Sequence, residues 1–165
     1  MRALVLADTH LGPGRADHLL ERLGQRLRVP SAILHAGDIT DVSVLGALSA
    51  FAPVHAVLGN NDHGIVLPER RVVELGGCTV AMVHDSGDAS GRAARLRRWF
   101  PDADVVVFGH SHLPWHETDV RADGHVQHHV NPGSATQRRR APRCTVAWLE
   151  LLAGAVVSVE HDAIG

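Results

Sequence analysis

The sequence predicts an α/β fold whose C-terminal part is rich in β-strands. Five apolar runs of four or five residues are each followed by polar residues, and helical patterns separate several of the runs. After Phe108 the pattern changes to consecutive strands that are separated by turn signals such as Ala122-Asp123-Gly124. Strands that alternate with helices, followed by consecutive strands, indicate two packed sheets with helices outside them.

The predicted helices all lie in the first 100 residues. Arg2–Ala7 is too apolar for a half-exposed strand and predicts a buried central one. Asp17–Arg28 has leucines at helical spacing and Pro30 after its end, so it predicts the first helix. Asp41–Phe51 and Arg92–Phe100 predict two more. The later strands are predicted at Trp115–Val120, Gly124–Val130, Thr145–Leu152 and Ala155–Glu160.

The composition is that of one globular domain, residues 1–165. A chain of 165 residues can bury roughly 68–70% of its unfolded surface without a disulfide or a structural metal. The net charge of −2 gives no general attraction to nucleic acid or to an anionic membrane. Aromatic residues are only 4% of the chain and tyrosine is absent, so we expect no nucleic-acid partner beyond short fragments or nucleotides.

The two cysteines and the N-terminus favour a cytoplasmic location. Cys78 and Cys144 have no second thiol nearby, which is typical of small buried residues rather than a disulfide or a zinc knuckle. Only five apolar residues precede Asp8. A signal peptide needs about 7–15 and a membrane span about 20, so we expect neither.

Each of the five apolar runs ends on a residue that can bind a metal. Successive positions are 28, 22, 24 and 26 residues apart, roughly the length of a strand–crossover–strand unit. Because the carboxyl ends of the strands share one rim, the side chains would converge. These donor side chains are more numerous than a single ion requires. The motifs are Asp8-x-His10, Gly37-Asp38, Gly59-Asn60-x-Asp62, His84 and Gly109-His110-Ser111-His112.

This ordered series resembles the calcineurin-like metallophosphoesterase superfamily. More narrowly, it resembles the short bacterial and archaeal phosphodiesterases, which are related to the metallophosphoesterase-like subunit of retromer. The resemblance runs from Asp8 to the Asn131-Pro132-Gly133-Ser134 segment, nearly the whole chain. It implies a four-layer α/β/β/α sandwich of two mixed sheets, the metallophosphoesterase fold.

The resemblance also implies two divalent transition-metal ions. Nitrogen and oxygen donors without thiolate suit Mn²⁺, the expected ion, as well as Ni²⁺, Fe, Co²⁺ or Zn²⁺, and they fit Ca²⁺ poorly. Glycines at positions 37, 59 and 109 would let the backbone turn tightly beneath the ions. The implied ligands are Asp8, His10 and His112 for one ion, Asn60, His84 and His110 for the other, and Asp38 as the bridge.

The implied activity is hydrolysis of a small phosphate diester by a metal-bridging hydroxide, without a serine or cysteine nucleophile. The catalytic residues would be Asp38, Asn60, Asn61 and Asp62. Many relatives have a histidine at the position of Asn61, and an amide cannot act as an acid. His63 is an alternative proton donor, and Asp62 would orient a neighbouring group rather than bind metal. Without an acid, the chain should prefer diesters to monoesters.

Two other functions stay open at this point, as do the substrate preference, the role of an arginine cluster and the oligomeric state. The alternatives are a non-catalytic protein-binding scaffold of the same fold, or a phosphomonoesterase. Ser86 replaces a histidine that relatives often carry at the rim of the pocket, which leaves substrate preference open. Arg138-Arg139-Arg140 with Arg143 is either a solvated loop or an anion-attracting rim. A homodimer is also left open, because no apolar stripe indicates an interface.

Overall fold

The structure is a computed structural model that describes all 165 residues. It contains ten strands, three α-helices and one 3₁₀ turn. The helices are α1 Ala16–Leu23, α2 Ser43–Ser49 and α3 Arg92–Trp99, and the 3₁₀ turn is Gly24–Arg28. The strands are β1 Arg2–Leu6, β2 Ala32–His35, β3 Val54–Ala56, β4 Arg70–Leu75, β5 Cys78–Val83, β6 Val105–Val107, β7 Pro114–Val120, β8 Val126–Pro132, β9 Cys144–Leu152 and β10 Ala155–Ile164.

The strands form two mixed five-stranded sheets. The first has the order β10-β9-β1-β2-β3 and the second the order β4-β5-β6-β8-β7. In the first sheet β1, β2 and β3 are parallel, and in the second β5, β6 and β8 are parallel. The remaining strands, β9 and β10 in the first sheet and β4 and β7 in the second, pair antiparallel. Each sheet therefore has a three-stranded parallel part whose strands all end at one edge.

The core divides into three layers of buried side chains, which define a four-layer α/β/β/α sandwich. Alternation along β1 shows the principle: Val5 packs against the second sheet, whereas Leu4 and Leu6 pack against α1 and α2. The outer face of the second sheet packs against α3, where Leu96 contacts the cluster around Phe108. Two sheets, each covered on both faces, explain why the central strands are apolar throughout. The predicted four-layer fold is confirmed.

One predicted crossover differs from expectation. Between Asn60 and His84 the chain forms no helix; it passes from the first sheet to the second and adds β4. The β4 strand was not predicted because it lies at a sheet edge, alternates exposed with half-buried residues, and carries charges that blunt the edge. It joins β5 through Gly76-Gly77, whose φ angles are both positive, as the tightest hairpins require.

Two local predictions also need correction. The first predicted helix, Asp17–Arg28, is interrupted at Gly24, where φ is +52° and the chain continues as a 3₁₀ turn. The residues Asn131-Pro132-Gly133 predict foremost a turn, but Asn131 and Pro132 belong to β8, and the turn begins at Gly133. Proline is tolerated there because it is the last residue of the strand.

The three helices are short, with eight, seven and eight residues. None of them has the length and apolar character that crossing a bilayer requires.

The β9–β10 hairpin offers a direct test of local backbone strain. Ala153 has a φ of +50°, a left-handed conformation that glycine adopts far more readily. We expect Ala153→Gly to raise the free energy of unfolding by about 0.5–1 kcal/mol, measured by urea denaturation. Ala155→Gly, in the adjoining strand and equally exposed, is the matched control and should lower it. A loss of stability in both variants would contradict the assignment of strain to residue 153.

Candidate metal centre

All seven predicted ligand positions come together where the two sheets meet at their carboxyl edges. Asp8, Asp38 and Asn60 follow strands of the first sheet, and His84 and His110 follow strands of the second. The two edges are tied directly, since the His84 Nδ1–H donates to the carbonyl of Ala36 at 2.7 Å. The site is therefore built from both sheets, with no two of its motifs adjacent in sequence.

One group of donors consists of Asp8, His10 and His112. The His112 Nε2 lies 3.4 Å from Asp8 Oδ1, and the His10 Nε2 lies 3.9 Å from the same oxygen. The two imidazole rings stack with their centroids 5.1 Å apart. Their ligand atoms lie close enough together to hold a single cation.

A second group surrounds Asp38. The Asp38 Oδ2 lies 3.2 Å from His10 Nε2 and 3.4 Å from His84 Nε2, so this carboxylate faces both groups. Asp8, Asp38 and His84 also form a compact set of possible ligands. Asn60 extends this set, because its Oδ1 lies 3.1 Å from His84 Nε2 and 3.0 Å from His110 Nδ1.

The hydrogen bonds of the histidines leave acceptor atoms facing one another. His84 and His112 each donate Nδ1–H to a backbone carbonyl, so each presents the Nε2 lone pair to the site. At His84 that lone pair meets the oxygens of Asp38 and Asn60, which accept but do not donate. Only a shared proton or a metal cation makes such contacts favourable.

Several buried donor atoms also have no partner within the protein. Both carboxylate oxygens of Asp8 and the Nε2 atoms of His10 and His112 are buried without a hydrogen bond. An unpaired buried polar atom costs about 1–3 kcal/mol, so four of them in one place need an explanation. A bound divalent cation would supply it, and this donor set fits such an ion.

Five of the seven positions have a left-handed backbone. The φ angle is positive at Asp8, His10, Asp38, His110 and His112. Such conformations cost about 1–3 kcal/mol each for non-glycine residues and persist only where the surroundings fix them. Their concentration at the donor positions indicates that surrounding contacts hold these loops in strained conformations that direct the side chains into the site.

Two glycines allow the loops of the first sheet to approach each other. A Cβ on Gly37 would lie 2.7 Å from the backbone nitrogen of Gly59, and Gly37 also has a φ of +88°. A Cβ on Gly59 would collide with the backbone and carboxylate of Asp38. The predicted tight turn thus applies to Gly37, whereas Gly59 is needed for close approach.

Asp62 and Asn61 fix the Asp38 loop. The buried Asp62 carboxylate accepts hydrogen bonds from the backbone N–H groups of Gly59 at 2.7 Å, Asp38 at 3.0 Å and Thr40 at 2.7 Å. The Asn61 backbone and side-chain amides donate to the two oxygens of Asp38 at 2.9 and 2.7 Å. Asp62 therefore holds backbone, and Asn61 holds the carboxylate between the two groups.

Asn131 near the end of β8, and the segment that follows this strand, support the site. The Asn131 side chain donates to the Gly109 carbonyl at 2.8 Å and so fixes the loop of His110 and His112. The Ser134 and Thr136 hydroxyls donate to the carbonyls of Asp8 and Thr9, and the Gln137 carbonyl accepts from His112. The Asn-Pro-Gly-Ser motif was the available signal; the contacts of residues 136 and 137 carried none.

A comparison with protein families identifies the class of this chain. Residues 1–154 match the family described as the calcineurin-like phosphoesterase superfamily domain. The chain belongs to this superfamily. It is 36% identical over 115 residues to a probable metallophosphoesterase of Methanothermobacter thermautotrophicus. That match covers 67% of this chain and 66% of the relative, so the chain spans just under two thirds of that protein's length.

Solved structures show the same metallophosphoesterase fold. Vps29 of Entamoeba histolytica in complex with Zn²⁺ superposes with a TM-score of 0.70 at 22% identity, covering 98% of this chain and 97% of that one. An archaeal phosphodiesterase superposes with a TM-score of 0.71 at 17% identity, covering 99% of each chain. At these identities the likeness shows the fold alone.

The electrostatics of the metallophosphoesterase site favour a bound cation. Burial raises the pKa of Asp8 to about 7, and the neighbouring Asp38 adds to the rise while His84 and His10 oppose it. Burial also acts against ionisation of Asp38, but contacts from His10, His84 and Asn61 hold the pKa of that carboxyl well below its usual range. Burial would lower the pKa of His84, yet its contacts with Asp38 and the Ala36 carbonyl raise it. A divalent ion would stabilise the charge of Asp8.

A cavity of about 310 Å³ opens beside the second donor group. Asn60 and His84 line it, together with Glu69, Arg70 and Asp85. Its volume falls in the range of roughly 300–1,000 Å³ that small-molecule sites occupy. A larger cavity of about 470 Å³ lies elsewhere and contains none of the seven candidate ligands.

His35 lies in a buried strand run, which predicts a core histidine with satisfied hydrogen bonds. It is buried, but only one of its two ring nitrogens has a partner. Its Nε2 lies 3.1 Å from the Thr9 hydroxyl, whereas its Nδ1 has no partner. Burial lowers the pKa of His35 to about 3, so the ring is neutral. It braces the loop after β1 from the helix side rather than facing the donors.

The role of Asp62 can be tested without metal. In Asp62→Asn, the amide nitrogen would face a backbone N–H that now meets an oxygen. We expect the free energy of unfolding in the presence of a chelator to fall by about 2–4 kcal/mol.

Asp102→Asn is the matched control, since Asp102 is exposed. It should change the free energy of unfolding by less than about 0.5 kcal/mol. Equal effects of the two substitutions would contradict the role assigned to the Asp62 carboxylate.

Proposed function

We propose that this chain is a dinuclear metal-dependent phosphodiesterase that hydrolyses a small phosphate diester. The observation that carries the proposal is the cluster of buried, unpaired oxygen and nitrogen donors of Asp8, His10 and His112. Asp38 and His84 form a second compact set of possible ligands with the same Asp8. These donors occur in a chain of the calcineurin-like phosphoesterase superfamily, which supports phosphoric ester hydrolysis and divalent metal binding. All seven candidate positions retain side chains able to bind a metal.

In this proposal Asp8, His10 and His112 would hold one ion, and Asn60, His84 and His110 would hold the other. Asp38 would bridge them, which its contacts with both His10 and His84 support. Imidazoles and an amide limit the negative charge, so the ions stay electrophilic. Donors without thiolate suit Mn²⁺ first, and Ni²⁺, Fe, Co²⁺ or Zn²⁺ as well.

Two bound ions would supply an activated water and neutralise charge on the phosphate oxygens. The protein's own contribution is positioning. Asn61 keeps the Asp38 carboxylate oriented, and Asp62 keeps the loops of Gly59 and Asp38 fixed before any substrate arrives. The adjoining cavity of about 310 Å³ provides room for one substituent of the diester.

The preference for diesters rests on Asn61. Its side chain donates to Asp38 and carries no group that can be titrated, so it cannot protonate a leaving group. The exposed His63 is held through its backbone N–H, which donates to the Asn61 carbonyl at 3.0 Å. Esters whose leaving groups depart readily as anions would then react fastest.

Two other functions are separated from this one by assay. A phosphomonoesterase would hydrolyse an aryl monoester faster than the corresponding diester. A protein-binding scaffold would hydrolyse neither. Metal binding alone does not decide between catalysis and a scaffold, because a protein can bind a metal ion without hydrolysing an ester. Intact donors at all seven positions favour catalysis over a scaffold.

The unpaired, buried Cys78 and Cys144 fit the proposed cytoplasmic location.

Removing the bridging carboxylate should abolish most activity. Asp38→Ala is expected to lower kcat/KM for an aryl phosphodiester with Mn²⁺ by roughly 100-fold or more, since about 3 kcal/mol of transition-state stabilisation is lost. Titration calorimetry should show two Mn²⁺ ions in the parent and fewer in the variant. Asp102→Ala serves as the control and should match the parent. A parent that hydrolyses no ester, or an Asp38→Ala variant that retains full rate, would overturn the proposal.

The absence of an acid at position 61 predicts a steep dependence on the leaving group. Across a series of aryl phosphodiesters, log kcat/KM should fall strongly as the pKa of the leaving phenol rises. Asn61→His should flatten the slope by supplying a proton. His63→Asn should leave it unchanged; a steeper slope in that variant, or a flat slope in the parent, would identify another proton donor.

A further inference from the structure

A second cavity, away from the candidate metal centre, has three arginines in its walls. Its volume is about 470 Å³, and Arg22 of α1 lines it together with Arg138 and Arg143 from the loop between β8 and β9. No acidic side chain is among the lining residues. The volume suits a small molecule, whose sites span roughly 300–1,000 Å³. The charged side chains in the walls of the cavity are therefore all positive.

None of the three guanidinium groups forms an ion pair with a carboxylate. The arginines that form such ion pairs are Arg26, Arg97 and Arg121, none of which lines the cavity. Because arginine is always charged, the three unpaired side chains would attract an anion into the cavity.

Much of the donor capacity of these arginines is also unused. Arg22 gives its Nε–H to the Ala135 carbonyl at 2.9 Å, and Arg138 gives one Nη1–H to the Ala141 carbonyl at 3.1 Å. These bonds fix the two side chains while leaving other N–H groups of each guanidinium free. Held, charged and only partly satisfied guanidinium groups are suited to bind an oxyanion through paired hydrogen bonds.

We propose that this cavity binds a small phosphate-bearing anion. The planar donor fork of arginine matches phosphate oxygens, and three such forks favour a multiply charged group over a single carboxylate. The Thr136 hydroxyl on the wall already donates to the Thr9 carbonyl, so recognition falls to the arginines. The site is separate from the seven candidate metal ligands and does not depend on the proposed hydrolysis.

Titration of metal-free protein with inorganic phosphate tests the proposal. We expect the parent to bind one phosphate and the double variant Arg138→Gln/Arg143→Gln to bind it at least about tenfold more weakly. Arg98→Gln/Arg140→Gln removes the same charge from exposed arginines outside the cavity, and its affinity should stay within about twofold of the parent. Both pairs lie on the surface, and urea unfolding verifies that both variants fold.

Three results would overturn the proposal. These are no phosphate binding to the parent, an equal loss of affinity in both arginine pairs, or loss of binding in Asp38→Ala. The last result would locate the phosphate at the metal centre instead. Hydrolysis does not enter the experiment, so its outcome is independent of whether the chain is an esterase.

Discussion

The structure depends on the close approach of two sheet edges that carry like-charged and acceptor groups. Asp8 and Asp38 lie in one set of possible ligands, and histidine lone pairs point at the same oxygens. In a protein interior such contacts are strongly unfavourable without an intervening cation or proton. The apolar core between the sheets, built from short side chains such as Ala3, Ala32 and Ala36, brings the edges close enough to impose them.

The loops around the site adopt strained backbone conformations that place the donor side chains. Left-handed residues at the donor positions, together with Gly59 against Asp38, require surrounding contacts that determine each backbone conformation. Those contacts are present: Asp62 holds the first sheet's loops, Asn131 holds the second sheet's loop, and Ser134 reaches back to Asp8. The supporting residues lie far apart in sequence and converge on the same few backbone segments.

Much of the fold, and the convergence of the seven candidate positions, could be predicted from the sequence. Buried parallel strands are apolar throughout, so β1, β2 and β6 stood out, and a donor after each strand indicated a shared rim. The edge strand β4 could not be predicted in this way, because its alternating charged pattern resembles a surface loop. Contacts between residues far apart in the sequence could not be predicted either. No local pattern reveals that Asp62 binds three backbone amides or that Arg22 shares a cavity with Arg138.

The division of the donors between the two sheets has a thermodynamic consequence. Each compact group combines carboxylates of the first sheet with an imidazole of the second, so neither sheet alone offers a complete coordination shell. Binding of a cation would therefore be coupled to the docking of one sheet on the other, and its binding energy would add to the cooperativity of folding. Removing such a cation with a chelator would then weaken the contact between the two sheets, well beyond the loops that carry the donors.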